Sequence, residues 1–158
     1  MKDGLLPAML LSLCAGMASG AGKARIARLL LAAIGGVGMS VLVRQTVEIP
    51  AEAVLGAGWT AMLACAAMVL AGKAASPALA TPIAAGAGLL SGLLAADWHA
   101  LPALPMLLAG ACAARIAAAH RLGLATKVVA GWLLAIAALN FSLALLPVTP
   151  GYLPDHLE

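Results

Sequence analysis

Apolar residues in this chain come in long runs rather than alternating with polar ones, and only short charged or glycine-containing stretches interrupt them. Coiled as an α-helix, a run of about 18 to 25 residues matches the hydrocarbon thickness of a bilayer. Six such segments can be read: Leu5–Gly20, Ile26–Val43, Ala53–Gly72, Leu79–Ala96, Leu101–Ala119 and Val128–Leu146. The first is the shortest and holds Pro7. Pro82, Pro102 and Pro105 fall at the starts of the fourth and fifth, where a proline in the first turn sacrifices no helical hydrogen bond. The expected fold class is all-α integral membrane, a six-transmembrane-helix bundle forming one transmembrane domain over residues 1–158.

Composition supports the pattern. The chain is 64% hydrophobic and 9% charged, with a mean hydropathy of +1.07. Soluble domains carry about 25% charged residues. Six helices and their short connections use nearly the whole length, which leaves no separate soluble catalytic domain or nucleic-acid-binding module. One Tyr and one Phe provide no stacking platform for bases or quinones.

The charges fall unevenly between the connections. Lys23, Arg25, Arg28, Lys73, Arg115, Arg121 and Lys127 share one side of the expected bundle, with Arg115 snorkelling from within its segment. Lys2, Arg44 and all six carboxylates belong to the other side. Basic residues concentrate on the cytoplasmic face of membrane proteins. Lys23, Arg25, Arg28, Arg115, Arg121 and Lys127 are therefore read as topology anchors. Both termini are expected on the outer, periplasmic side of a bacterial inner membrane. Lys2, the first apolar run and Ala18-Ser19-Gly20 also loosely match a secretory signal peptide. Cleavage there would strand Lys23, Arg25 and Arg28 outside, against the charge rule, so the first helix is expected to stay. Leu13 breaks the lipoprotein pattern around Cys14.

An internal echo runs through the two halves. Ala15-Gly16-Met17-Ala18-Ser19-Gly20 reappears as Ala87-Gly88-Leu89-Leu90-Ser91-Gly92 after 72 residues, and Ala57-Gly58-Trp59 as Ala130-Gly131-Trp132 after 73. Three helices per half would invert the second relative to the first. The expected repeats are 4–73 and 77–147, with Trp59 near the outer interface and Trp132 near the inner one. Gly16, Gly20, Gly88 and Gly92 form two GxxxG patterns and are candidate helix-packing positions inside the protomer.

Reactive chemistry is sparse. His99 and His156 fall outside and His120 inside, so no pair suits one haem. The outer acidic residues and histidines have no metal-ligand spacing. Met17 and Ala24 break the phosphate-loop pattern around Lys23. Cys14, Cys65 and Cys112 read as small apolar side chains. No catalytic, cofactor or metal residue is therefore assigned. Most polar side chains within the segments can bond their own helix. Asn140 is the exception by chemistry, because a midspan amide needs a partner on another helix or a water-lined cavity, and with Ser142 and Thr60 it is the candidate pathway lining.

The expected function is a small transporter or channel, or the membrane subunit of one, for a small solute. The alternative is a non-catalytic structural or anchor subunit of a larger membrane complex. The expected partners are the lipid bilayer and either further copies of the chain or another membrane protein, with no cofactor and no nucleic acid. Single cysteines introduced beside Lys23 and beside Lys127 should react with an impermeant maleimide from the same side of sealed vesicles. One beside Glu48 should react from the other; labelling of the first two from opposite sides would overturn the topology.

Overall fold

The computed structural model describes residues 4–20, 26–72, 75–95 and 101–145. Six helices account for nearly all of them: α1 (Leu5–Gly20), α2 (Ile26–Thr46), α3 (Ala51–Leu70), α4 (Pro77–Ala95), α5 (Ala103–Ala119) and α6 (Gly123–Leu145). No strand occurs among the described residues. α2, α3, α4 and α6 are long and apolar enough to cross a membrane, which marks the chain as a membrane protein. α1 and α5 are equally apolar but shorter, at 16 and 17 residues.

Helix limits depart from the apolar runs where charge or proline sits near an end. α2 continues through Arg44, and α6 begins at Gly123 rather than Val128, so that Lys127 lies inside the helix. Long basic side chains reach the interface from within a helix, so they need not end it. α4 starts at Pro77, which moves Pro82 from the first turn to the helix interior. There it leaves the carbonyl of Ala78 without its usual donor. Gly72, with φ of 67°, closes α3 instead of belonging to it.

α1 is the central helix. It packs against α3, α4 and α5 and touches α6, and eleven of its residues are buried. The closest pairs in the bundle are α1 with α5 and α2 with α4. Both pairs run parallel, because contact positions rise together along the two helices. Gly16 sits on the backbone of Leu107 and Gly20 on that of Ala111, while Gly110 faces Leu13 and Met17. In the other pair Gly88 sits on Ala33, Gly92 on Val37 and Ser40, and Gly36 on Ala85 and Leu89. The two sets correspond in register. Gly16 and Gly88 are 72 positions apart, as are Leu13 and Ala85; Leu107 and Ala33 are 74 apart, as are Gly110 and Gly36.

Glycine is required at these points by space. A Cβ on Gly16 would overlap the carbonyl oxygen of Leu107, and one on Gly88 that of Ala33. Lipid tails are as apolar as leucine, so membrane helices gain little by hiding apolar area from them; close packing and hydrogen bonds hold them together instead. Gly35 and Gly38, on the exposed face of α2, have no atom within 4 Å of an added Cβ.

The third helix of each half is placed differently. α3 packs on α1, α4 and α6, whereas α6 leans mainly on α3. Trp59 is accordingly 5% exposed and Trp132 74% exposed. Both stand near the middle of their helices, ninth in α3 and tenth in α6, rather than at the interfaces expected for them.

Gly16→Leu and Gly88→Leu should each lower stability in mild detergent by about 1–3 kcal/mol or more, the cost of overpacking a tight contact. Gly35→Leu should shift the thermal midpoint little. Equal midpoints for all three variants would contradict the packing.

Candidate functional site

The bundle has a basic end and an acidic end, and each contains a cavity. At the basic end lie Arg28 in the first turn of α2, Arg115 near the end of α5, Arg121 in the α5–α6 turn and Lys127 early in α6. Lys23 and Arg25, the other two expected anchors, lie outside the described residues. At the acidic end lie Arg44 in the last turn of α2, Glu48 in the α2–α3 connection and Glu52 in the first turn of α3. Pro50 is the N-cap residue of α3, and a carboxylate in a helix's first turn is favoured by the dipole.

The basic-end cavity measures about 350 Å³ and lies where α1, α3 and α5 end and α6 begins. Met17, Val69, Ala114 and Ala117 supply apolar wall; Arg121 and Lys127 supply charge. Arg121 adopts a left-handed φ of 56°, and the turn it makes is closed by the Leu122 N–H donating to the Ala117 carbonyl at 2.7 Å. That conformation costs a non-glycine residue about 1–2 kcal/mol. The acidic-end cavity is larger, about 670 Å³, and lies where α2 and α4 end and α1 and α3 begin. Arg44, Glu48 and Glu52 line it together with Val54, Leu55 and Leu94.

Two arginines cap helix ends beside these cavities. Arg115 Nε donates to the carbonyl of Gly20, the last residue of α1, at 3.3 Å. Arg44 donates to the carbonyl of Leu93 in the last turn of α4. Final carbonyls of a helix lack intrahelical donors and carry the negative end of its dipole, so a guanidinium there satisfies both hydrogen bonding and charge. The Ala75 N–H adds a bond to the Ala18 carbonyl at 3.2 Å. Arg115 does for α1 what Arg44 does for α4. Both come from the C-terminal part of the helix packed parallel to the one they cap.

Between the two ends, α1 and α4 cross through hydroxyl groups. Ser12 Oγ and Ser91 Oγ are 2.9 Å apart, and Ser91 Oγ donates to the Ala8 carbonyl at 3.3 Å. A serine has one hydroxyl proton. With Ser91's given to Ala8, Ser12 is the donor to Ser91, so the bonds run one way from α1 to α4 and back to α1. Both serines are buried. Sequence spacing identified Ser91 only as part of a glycine pattern, and nothing in it paired Ser91 with Ser12.

The candidate pathway residues lie elsewhere. Thr60 Oγ1 donates to Gly56 and Asn140 Nδ2 to Ile136, each at 2.8 Å; Ser142 Oγ donates to Leu139 at the same distance. All three bond their own helix, and none lines either cavity. Asn140 is half-buried in the last third of α6, not at midspan, and finds its partner one turn back. Cys14 and Cys65 are buried and Cys112 is exposed. Among the described residues no three of His, Cys, Asp and Glu gather where a metal could bind. Asp97, His99, Asp155 and His156 lie outside them.

Ser91→Ala removes both cross-helix bonds and should cost about 0.6–1.7 kcal/mol, the range for polar contacts between membrane helices. Asn140→Leu, which loses only a bond within its own turn, should change stability less. Thermal denaturation of the purified variants in one detergent checks the order. Comparison with protein families, with curated proteins and with solved structures finds no match to this chain.

Proposed function

We propose that this chain is a small membrane transporter or channel, or the membrane subunit of one, passing a small solute between two inverted three-helix units, 4–73 and 77–147. The observation that carries the reading is the pair of cavities entering from opposite ends, each walled by helices of both units. Further support comes from the matched registers of α1 on α5 and α4 on α2, and from the matched arginine caps at the ends of α1 and α4. Inverted repeats place a transport site between the repeating units. The pathway proposed here follows the α1–α4 crossing at Ser12 and Ser91, rather than Thr60, Asn140 and Ser142.

The same reading sets the basic end in the cytoplasm of a bacterial cell and both termini on the periplasmic side of its inner membrane. It assigns no catalytic step and no cofactor. The unequal placement of α3 and α6 departs from strict repetition, as one state of a two-state carrier would. A second reading, a structural or anchor subunit, draws on the broad apolar faces of α2 and α6. Leu31, Met39, Leu42, Leu124, Trp132 and Leu139 are all exposed there, available to lipid, to another copy or to another membrane protein.

Gentle detergent extraction of the tagged protein from its native membrane, followed by native mass spectrometry, separates the two. Transport by the chain itself predicts that it emerges alone or only with copies of itself, with solute flux after reconstitution into liposomes that Asn140→Leu leaves intact. A stoichiometric foreign partner, with no flux by the isolated chain, would favour the anchor reading instead.

A further inference from the structure

Among the described residues, the charge of the cavity at the basic end has no carboxylate to balance it. Arg121 and Lys127 line it, and no carboxylate does. The imbalance extends across that end: the connections 21–25, 71–76 and 120–122 contain no Asp or Glu, and neither do the helix turns that join them. The described carboxylates, Glu48 and Glu52, are at the opposite end. Most of the remaining wall is apolar, from Met17 and Val69 to Ala114 and Ala117. A hydrated inorganic ion gains nothing from such a wall, whereas an amphiphile places its chain there and its head beside the cations.

The position fits the same ligand. The cavity lies where α1, α3 and α5 end and α6 begins, the level at which a bilayer's headgroups stand. Basic pockets between membrane helices on the cytoplasmic side hold anionic lipid heads, with each Lys or Arg near the surface adding attraction. About 350 Å³ accommodates one headgroup and the first part of its chains.

We propose that this cavity binds one anionic phospholipid, its phosphate held by Arg121 and Lys127 and its acyl chains laid along Met17, Val69 and Ala114. The bound lipid joins the ends of α1, α3 and α5 to the start of α6, which otherwise leans mainly on α3. The proposal stands apart from the transport reading, since a structural subunit would use the lipid in the same way.

The test uses the full-length protein in mild detergent, titrated with phosphatidylglycerol or phosphatidylcholine and read by native mass spectrometry. Phosphatidylglycerol should bind one per chain and phosphatidylcholine should not. Arg121→Gln or Lys127→Gln alone should weaken binding about fivefold, and the two together about 30-fold. Arg28→Gln, at the same end but outside the cavity, should bind as the parent does. Ala118→Trp keeps both charges while filling the space, because Ala118 lines the cavity with an exposed side chain, and it should also abolish binding. It decides the matter should the doubly neutralised protein fail to fold. Equal binding of the two lipids, undiminished binding by the filled variant, or displacement of phosphatidylglycerol by millimolar inorganic phosphate would each overturn the proposal.

Discussion

Backbone-to-backbone approach through glycine is the constraint on which the rest of this bundle depends. In water a helix pair can be held by hiding apolar side chains; in a bilayer the alternative environment is just as apolar, and association rests on dispersion at short range and on polar contacts. Gly16, Gly20 and Gly110 bring α1 against α5, and Gly88, Gly92 and Gly36 bring α4 against α2. Once those two parallel pairs form, the α1–α4 crossing joins them and brings Ser12 within reach of Ser91. The serine contact is a consequence of the packing and adds direction to it.

Electrostatics then acts at the helix ends. A helix terminus in a low-dielectric setting exposes carbonyls that water cannot fully reach, and such groups are costly when left unpaired. Arg115 and Arg44 answer this for α1 and α4 from neighbouring helices. Each arginine ties two helices from different halves of the chain together at their ends. A topology rule based on counting basic residues has no access to this second role, because the carbonyl being capped belongs to a helix far away in sequence.

Much of the fold was legible from the chain. The six helices follow from the lengths of the apolar runs, and the GxxxG positions from their spacing. Their partners were not legible, since Gly36 and Gly110 belong to no such pattern and only the three-dimensional register sets them opposite Ala85 and Leu13. Asn140 is a contrasting case. An amide in an apolar segment points to a partner on another helix, yet one of its N–H groups is taken by the Ile136 carbonyl one turn earlier. Local side chain-to-backbone bonds of this kind are always geometrically available in a helix, so polarity alone does not mark a pathway. Trp59 and Trp132 match in sequence and differ in burial, because α3 is wedged among three helices and α6 rests mainly on one. Burial depends on neighbours that a local motif does not encode.

Helix length follows the same division between inside and outside. The requirement of about 20 residues for a span comes from the need to cover hydrocarbon with apolar side chains. It applies to a helix whose surface meets lipid and relaxes for one enclosed by protein. α1, the shortest at 16 residues, is also the most enclosed, and α5, packed along it in parallel, has 17. α2 and α6, which carry many of the exposed large hydrophobic residues, are the longest at 21 and 23. A short central α1 leaves space beside its ends. The two cavities lie there, one against its last turn at Met17 and Ala18 and one beside its N-terminus, at Gly4. In this bundle the glycine packing that makes α1 central, and lets it be short, goes together with a cavity at each of its ends.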